Sequence, residues 1–212
     1  TFTKMSLNLN CTFYLHIQKT FLPNLNQIEI DITYECNLKC INCNRSSTQA
    51  PIKEGMSIKQ IENFVDESIE LNKKWKLINL LGGEPSLHKD FLDIVNLILN
   101  EYLIKHSPET ILQITSNGFG DLVQEQLSKL PKHPNLLIDY ASFKDERTIP
   151  YFSPFNDAPI DKTDEKDKEY HKGCWVTSYC GIGLNQLGYY PCGVAGGIDR
   201  IFKFNLGIES LK

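Results

Sequence analysis

Three cysteines lie close together in the run Cys-Asn-Leu-Lys-Cys-Ile-Asn-Cys. They are Cys36, Cys40 and Cys43, so three residues separate the first pair and two separate the second. A zinc site made from two C-x-x-C knuckles would be spaced differently. Three thiolates with no fourth nearby suit a four-iron cluster, because iron–sulfur clusters are held by cysteine thiolates. One iron would then lack a protein ligand and could bind and activate a small molecule.

A glycine-rich motif, Gly82-Gly83-Glu84-Pro85, follows about forty residues after the cysteines. Two adjacent glycines allow a close approach to the backbone. Together, the two motifs resemble the signature of the radical S-adenosylmethionine (SAM) enzymes. Those enzymes carry C-x-x-x-C-x-x-C after the first barrel strand and a G-G-E-P-like motif at the end of the second. The resemblance covers about residues 28–145.

The resemblance implies a reaction and its cofactors. Cys36, Cys40 and Cys43 would ligate a 4Fe-4S cluster, and the fourth iron would chelate the methionine part of SAM. One electron, from a reductase such as flavodoxin or ferredoxin, would cleave SAM to methionine and a 5′-deoxyadenosyl radical, which abstracts hydrogen from a substrate carbon. The SAM-binding residues implied are Gly82, Gly83, Glu84, Pro85, Ser116, Asn117 and Ser142.

Some of these roles have alternatives or depart from the family pattern. The carbonyls of the Gly-Gly-Glu-Pro motif and the Glu84 carboxylate are suited to accept hydrogen bonds from the SAM ammonium. Ser116 and Ser142 are also ordinary turn residues. Arg45 is either a partner for the SAM carboxylate or a surface charge. The residue before the third cysteine is usually aromatic in the family, but here it is Asn42.

Hydrophobic patterning predicts strands alternating with helices. Strands are expected at 28–33, 76–81, 111–115 and 136–141, and helices at about 58–72, 89–102 and 121–130. This order implies an α/β fold with a parallel sheet, whose ligands bind at the carboxyl ends of the strands. With the resemblance, we predict a partial (β/α) barrel of the radical SAM type. Either the barrel is abbreviated, or the C-terminal tail supplies its final strands.

The tail contains a second group of cysteines, Cys174, Cys180 and Cys192. Thirteen residues separate Cys174 from Gly188, and three separate Gly188 from Cys192. This spacing is similar to the SPASM and twitch extensions of radical SAM enzymes, which bind auxiliary iron–sulfur clusters. We therefore predict a second cluster, whose remaining ligand is Cys11, a non-cysteine group, a residue beyond this chain or the substrate. A zinc site or buried free thiols are the structural alternatives.

The predicted organisation has four parts. Residues 1–27 are an N-terminal extension and 28–145 the barrel core. Residues 146–172 are a polar linker rich in proline and charge, and 173–212 form the cysteine-rich extension.

Composition narrows the function classes. The chain has 212 residues, 41% of them hydrophobic, which supports one core domain. The net charge is −4, so the chain lacks the excess of basic residues that is typical of nucleic-acid binding. No apolar run is long enough to span a bilayer. Seven clustered cysteines favour metal ligation in a reducing, cytoplasmic compartment over disulfides.

The predicted function is radical chemistry on a small molecule or a ribosomally made peptide, by oxidation, epimerisation or crosslinking. The competing class is a non-catalytic metal protein, either an iron–sulfur electron carrier or a zinc-binding module. That class accounts for the cysteines but does not explain the Gly-Gly-Glu-Pro motif after a second parallel strand.

Overall fold

The computed structural model describes residues 20–41, 43–49, 55–144 and 173–212. Cys11, Asn42, the predicted linker 146–172 and most of the predicted extension 1–27 lie outside these residues.

A six-stranded sheet forms the centre of the molecule, in the order β4-β3-β2-β1-β5-β6. Strands β1 to β5 run parallel to one another, and β6 is antiparallel to β5. The α/β class is confirmed. The strands are β1 (Gln27–Thr33), β2 (Leu77–Gly82), β3 (Ile111–Ile114), β4 (Leu136–Ile138), β5 (Ile182–Asn185) and β6 (Gly188–Tyr190).

Three helices connect the first four strands. They are α1 (Ile58–Glu70), α2 (Phe91–Leu97) and α3 (Asp121–Ser128), and α2 continues as a π-helical segment over Ile98–Ile104. A capping box begins α1: the Ser57 hydroxyl accepts from the Gln60 N–H, and the Gln60 side chain accepts from the Ser57 N–H. The helix thus begins where its sequence predicts.

The hydrophobic core lies between the sheet and these helices. Alternate residues of β1, namely Ile28, Ile30 and Ile32, are fully buried on that side. Because successive side chains of a strand point to opposite faces, Glu29 and Asp31 belong to the other face. The strand therefore divides the sheet into an apolar face under the helices and a polar face.

The fourth strand is shorter than its sequence indicates. The predicted strand 136–141 ends at Ile138, and Tyr140–Ser142 forms a 3-10 turn. Two hydrogen bonds between Ser142 and Asp139 stabilise this turn. The Ser142 N–H donates to the Asp139 carbonyl at 3.1 Å, and the Ser142 hydroxyl donates to the Asp139 carboxylate at 2.6 Å. These local hydrogen bonds compete with the sheet ladder and end the strand.

The tail supplies the last two strands on the other side of β1. Strand β5 pairs with β1 in parallel, with Glu29 opposite Gly183, and β6 returns as a hairpin. Helices α4 (Trp175–Cys180) and α5 (Gly193–Phe202) flank this hairpin and contact β1. Of the two arrangements left open by the sequence, the structure has tail strands joined to the sheet. Among the described residues, no helix is long and apolar enough to cross a membrane.

Candidate functional site

The loop that carries Cys36, Cys40 and Cys43 begins directly after β1, at the carboxyl end of the sheet. All three thiols are free and half-buried. The Cys36 sulfur accepts from the Leu38 N–H at 3.4 Å and lies 3.8 Å from the Asn117 side-chain amide. The Cys43 sulfur lies 3.8 Å from the Ser47 hydroxyl. The loop therefore presents its thiols at the end of the sheet where ligands of parallel α/β folds bind.

The three thiols are close enough to influence one another. Burial raises the pKa of Cys36 and raises that of Cys40 to about 11, and the charge of Cys43 adds to both shifts. A group of thiolates that repel one another is stabilised by cations, so this donor set fits an iron–sulfur cluster. Among the described residues, no group of three His, Cys, Asp or Glu side chains is placed to hold a single metal ion, so the thiols are suited to separate irons of a cluster.

The two glycines of the second motif bring the end of β2 against the stem of the cysteine loop. Gly82 has φ +130°, and a Cβ there would lie 2.1 Å from the Thr33 carbonyl oxygen. A Cβ on Gly83 would lie 2.2 Å from the Glu35 carbonyl oxygen. Two hydrogen bonds use this proximity, from the Gly83 N–H to Thr33 at 2.8 Å and from the Glu84 N–H to Glu35 at 2.7 Å. The close approach predicted for these glycines is made here to the cysteine loop itself.

Glu84 joins the ends of β2 and β3. Its carboxylate is fully buried and accepts hydrogen bonds at 2.7–3.2 Å from Ser86, Ser116 and Asn117. Pro85 begins the short 3-10 helix that Glu84 caps. The structure gives this carboxylate a positioning task, and its contact with the SAM ammonium stays a prediction.

The Ser116-Asn117 turn lies against the cysteine loop. The Asn117 side chain donates to the Asn37 side chain at 2.8 Å, and the Asn37 amide donates to the Phe119 carbonyl at 2.6 Å. The segment after β4 reaches the same place, because the Lys144 N–H donates to the Asn117 carbonyl at 2.7 Å. Ser142 lies in that segment, and its hydroxyl donates a hydrogen bond to the Asp139 carboxylate. The predicted SAM-binding residues thus lie around one end of the sheet.

Arg45 is not a surface charge, and its pairing with the SAM carboxylate stays a prediction. Its guanidinium is buried and forms ion pairs with Glu29 and with Asp31, the latter at 3.0 Å. Burial raises the pKa of Asp31 to about 6, and the Arg45 charge acts against this rise. The residue turns inward because β1 places two carboxylates on its polar face, where an unpaired charge would be costly.

A buried polar network extends from these ion pairs into the tail. The Tyr34 hydroxyl donates to Asp31 at 2.9 Å and accepts from the Asn185 amide at 3.0 Å. The Arg200 guanidinium lies over the Tyr34 ring, 3.6 Å from its centre. None of the predicted sites includes this network, although the acidic residues that alternate along β1 indicate a polar face.

The tail cysteines lie beside the same network. Burial raises the pKa of Cys180, and the Glu29 charge raises it further. Burial also raises the pKa of Cys192, and the Cys174 charge adds to this rise. The N–H groups of Ala195 and Val194 and the charge of Arg45 lower the same pKa. Cys180 and Cys192 pack in one small cluster with Val176 and Val194, whereas Cys174 is exposed, and Cys192 lies directly before α5.

Part of the sequence is similar to proteins of known name. The GTP 3′,8-cyclase of Desulforamulus reducens is 30% identical over 140 residues, which cover 63% of this chain and 40% of that protein. The mycofactocin maturase MftC of Mycolicibacterium smegmatis is 25% identical over 100 residues, covering 43% and 25%. The chain spans less than half the length of these curated relatives.

Structural and family comparisons point the same way. The crystal structure of BtrN in complex with AdoMet and 2-DOIA shares the fold, with a TM-score of 0.50 and 15% identity over 81% of this chain and 74% of that one. The profile of the radical SAM superfamily matches residues 30–155, which is more than half of the sequence and includes both motifs. The expected family is confirmed, and the chain belongs to the radical SAM superfamily.

Proposed function

We propose that this chain is an enzyme that holds a 4Fe-4S cluster on Cys36, Cys40 and Cys43 and binds SAM at the carboxyl ends of β1 to β4. The observation that carries the proposal is the joining of both family motifs at one end of the sheet. The Gly83 and Glu84 N–H groups bind the stem of the cysteine loop, at 2.8 and 2.7 Å. When bound, the cluster supplies the electron that cleaves SAM to methionine and a 5′-deoxyadenosyl radical, which takes a hydrogen atom from the substrate.

The chain's own residues orient SAM. Strand-end carbonyls at Gly82 and Gly83 are suited to accept from its ammonium group, since charge-assisted hydrogen bonds are strong. Glu84 holds the Ser116-Asn117 turn, and Asn117 in turn contacts Cys36 and Asn37. SAM and the cluster loop are therefore positioned by one rigid set of strand ends, a condition for directed radical chemistry.

The test is SAM cleavage by the anaerobically reconstituted chain. With dithionite as reductant, we expect 5′-deoxyadenosine and methionine in equal amounts. The Cys36/Cys40/Cys43→Ala variant should release neither, whereas the Cys174/Cys180/Cys192→Ala variant is the matched control and should still cleave SAM. Bound zinc with no SAM cleavage in the wild type would contradict the proposal and favour a non-catalytic metal module.

The substrate we propose is a small molecule or a ribosomally made peptide, changed by oxidation, epimerisation or crosslinking. The relatives' names support this range, since one is a cyclase named for GTP and another a maturase. We propose a flavodoxin or ferredoxin as the electron donor and the cytoplasm as the location. The net charge of −4 disfavours nucleic acid as a partner, and we propose no membrane contact.

We also propose a second iron–sulfur cluster on Cys174, Cys180 and Cys192, of the SPASM or twitch type. The packing of Cys180 and Cys192 in one cluster, next to helices that contact β1, supports it. Iron and sulfide analysis tests this directly. We expect about eight irons per wild-type chain and about four after the change of all three tail cysteines to alanine. An iron content of about four in both proteins would leave these thiols structural.

A further inference from the structure

Ser47 follows the cysteine loop and is almost fully buried. Only 2% of the residue is exposed. A buried hydroxyl is costly unless a hydrogen-bond partner replaces the water that it has lost. The Ser47 hydroxyl lies 3.8 Å from the Cys43 sulfur, which is within hydrogen-bond distance for an atom as large as sulfur. The structure thus pairs a buried hydroxyl with one cysteine of the first motif.

Two backbone turns place Ser47 beside Cys43. The Ser46 N–H donates to the Cys43 carbonyl at 2.9 Å, and the Gln49 N–H donates to the Ser46 carbonyl at 3.1 Å. Ser46 has φ 52°, a left-handed conformation that is uncommon for serine and sharpens the turn. The chain therefore folds back on itself, and residue 47 returns to residue 43.

The tail helix α5 packs on the same turn. A Cβ on Gly197 would lie 3.3 Å from the Arg45 carbonyl oxygen, so the helix approaches the backbone closely here. The Arg200 side chain donates to the Ser46 carbonyl at 2.9 Å. Because the residues directly before Ser47 are held by the tail, its hydroxyl can rotate while the residue stays beside Cys43.

The direction of this hydrogen bond depends on the state of the cysteine. As a thiol, Cys43 donates to the Ser47 hydroxyl. A cysteine that binds iron has lost its proton and can only accept. A serine hydroxyl both donates and accepts, and its hydrogen rotates to suit the partner. With iron on Cys43, the Ser47 O–H is therefore the donor and the sulfur the acceptor.

We propose that Ser47 is a positioning residue of the first cluster site, whose hydroxyl donates to the Cys43 thiolate and raises the cluster's reduction potential. This inference rests on the proposed function, because it requires a cluster on Cys43. Reduction adds one electron from the reductant and makes the cluster more negative, so a donor to its sulfur stabilises the reduced form more than the oxidised form. Hydrogen bonds to the sulfurs are among the factors that set iron–sulfur potentials.

The first test is a redox titration of the reconstituted cluster, followed by the EPR signal of its reduced form, in Ser47→Ala. At a fixed potential we expect the ratio of reduced to oxidised cluster to fall about fivefold, the effect of one hydrogen bond. This change is about 40 mV for a one-electron couple. Thr48→Ala removes the exposed hydroxyl of the next residue and should keep the wild-type potential. A potential is measured on the molecules that hold a cluster, so incomplete reconstitution does not affect it.

The second test detects the hydrogen bond itself. Electron–nuclear double resonance of the reduced cluster, after exchange into D2O, reports the exchangeable hydrogens next to its sulfurs. We expect one deuteron coupling of the wild type to be missing in Ser47→Ala and present in Thr48→Ala. A merely structural role of Ser47 would leave this set of couplings unchanged.

Equal potentials in the wild type and Ser47→Ala would overturn the inference and leave the proposed function intact. An equal fall in Thr48→Ala, or the same deuteron couplings in all three proteins, would also overturn it, because the effect would then not come from the buried hydroxyl. If the wild type itself forms no reducible cluster, the proposed function fails, and this inference fails with it.

Discussion

Glu84 shows how one buried carboxylate can hold several strand ends. Donors from Ser86, Ser116 and Asn117 all converge on it. Glu84→Gln keeps the shape but turns an amide toward one of these donors, so we expect the free energy of unfolding to fall by about 2 kcal/mol. Urea denaturation of the metal-free protein measures this loss. Glu125 is exposed and provides a control, since its change to Gln should leave the urea midpoint close to that of the wild type.

Gly83 is required for the close packing of two backbones. A methyl group at this position would lie 2.2 Å from the Glu35 carbonyl oxygen, so one of the two chains must move. We expect Gly83→Ala to destabilise the protein by roughly 2–3 kcal/mol. It should also lower iron incorporation, because the clash with Glu35 lies at the start of the cysteine loop.

A matched glycine on α5 separates this clash from a general effect of alanine. A methyl group on Gly197 would lie 3.3 Å from the Arg45 carbonyl oxygen, a contact that small shifts relieve. Gly197→Ala should therefore change the unfolding free energy by less than about 1 kcal/mol. Similar losses in the two variants would show that the packing against Glu35 is not the cause.

At the scale of elements, β1 determines how stability depends on pH. The folded-state pKa of Asp31 is about 6, above the usual 3.8. Between these pH values the folded protein keeps a proton that the unfolded chain loses, so the free energy of unfolding falls as the pH rises from about 4 to 6, by on the order of 2–3 kcal/mol.

Asp31→Asn should remove this pH dependence. The measurement is chemical denaturation of the metal-free protein between pH 4 and 7, with the exposed Asp93→Asn as the control that keeps the wild-type slope. A wild-type slope that persists in Asp31→Asn would mean that another group is responsible.

Element type was largely predictable from the sequence, because apolar periodicity distinguishes buried strands from amphipathic helices. Both motifs were also correctly expected at strand ends. The length of β4 was overestimated because the Asp139–Ser142 hydrogen bonds are local turn chemistry hidden inside an apolar run. Arg45 is buried because it pairs with Glu29 and Asp31. The spacing of residues along the chain does not reveal which carboxylates will form ion pairs with it.

At the scale of the whole molecule, the tail belongs to the sheet as well as carrying cysteines. Strand β5 covers the edge of β1, and its pairing joins residues more than 150 positions apart, which periodicity cannot reveal. A chain ending at residue 172 would expose this edge and leave the ion pairs of Arg45 uncovered. We expect it to lose cooperative unfolding or to aggregate.

Thermal unfolding followed by circular dichroism measures this effect. The full-length Cys174/Cys180/Cys192→Ala variant is the control, because it keeps β5 and β6 while removing the thiols. It should unfold cooperatively in its metal-free form. A truncated chain that unfolds with the wild-type midpoint would contradict the structural role of the tail.

The EPR spectrum of the reduced, reconstituted protein with and without SAM tests most directly whether the first cluster binds SAM. We expect a 4Fe-4S signal that changes shape when SAM binds the open iron, and no such change after Cys36, Cys40 and Cys43 are replaced by alanine. A cluster signal that SAM leaves unaltered in the wild type would contradict the proposed function, because the first site would then have no open position for SAM.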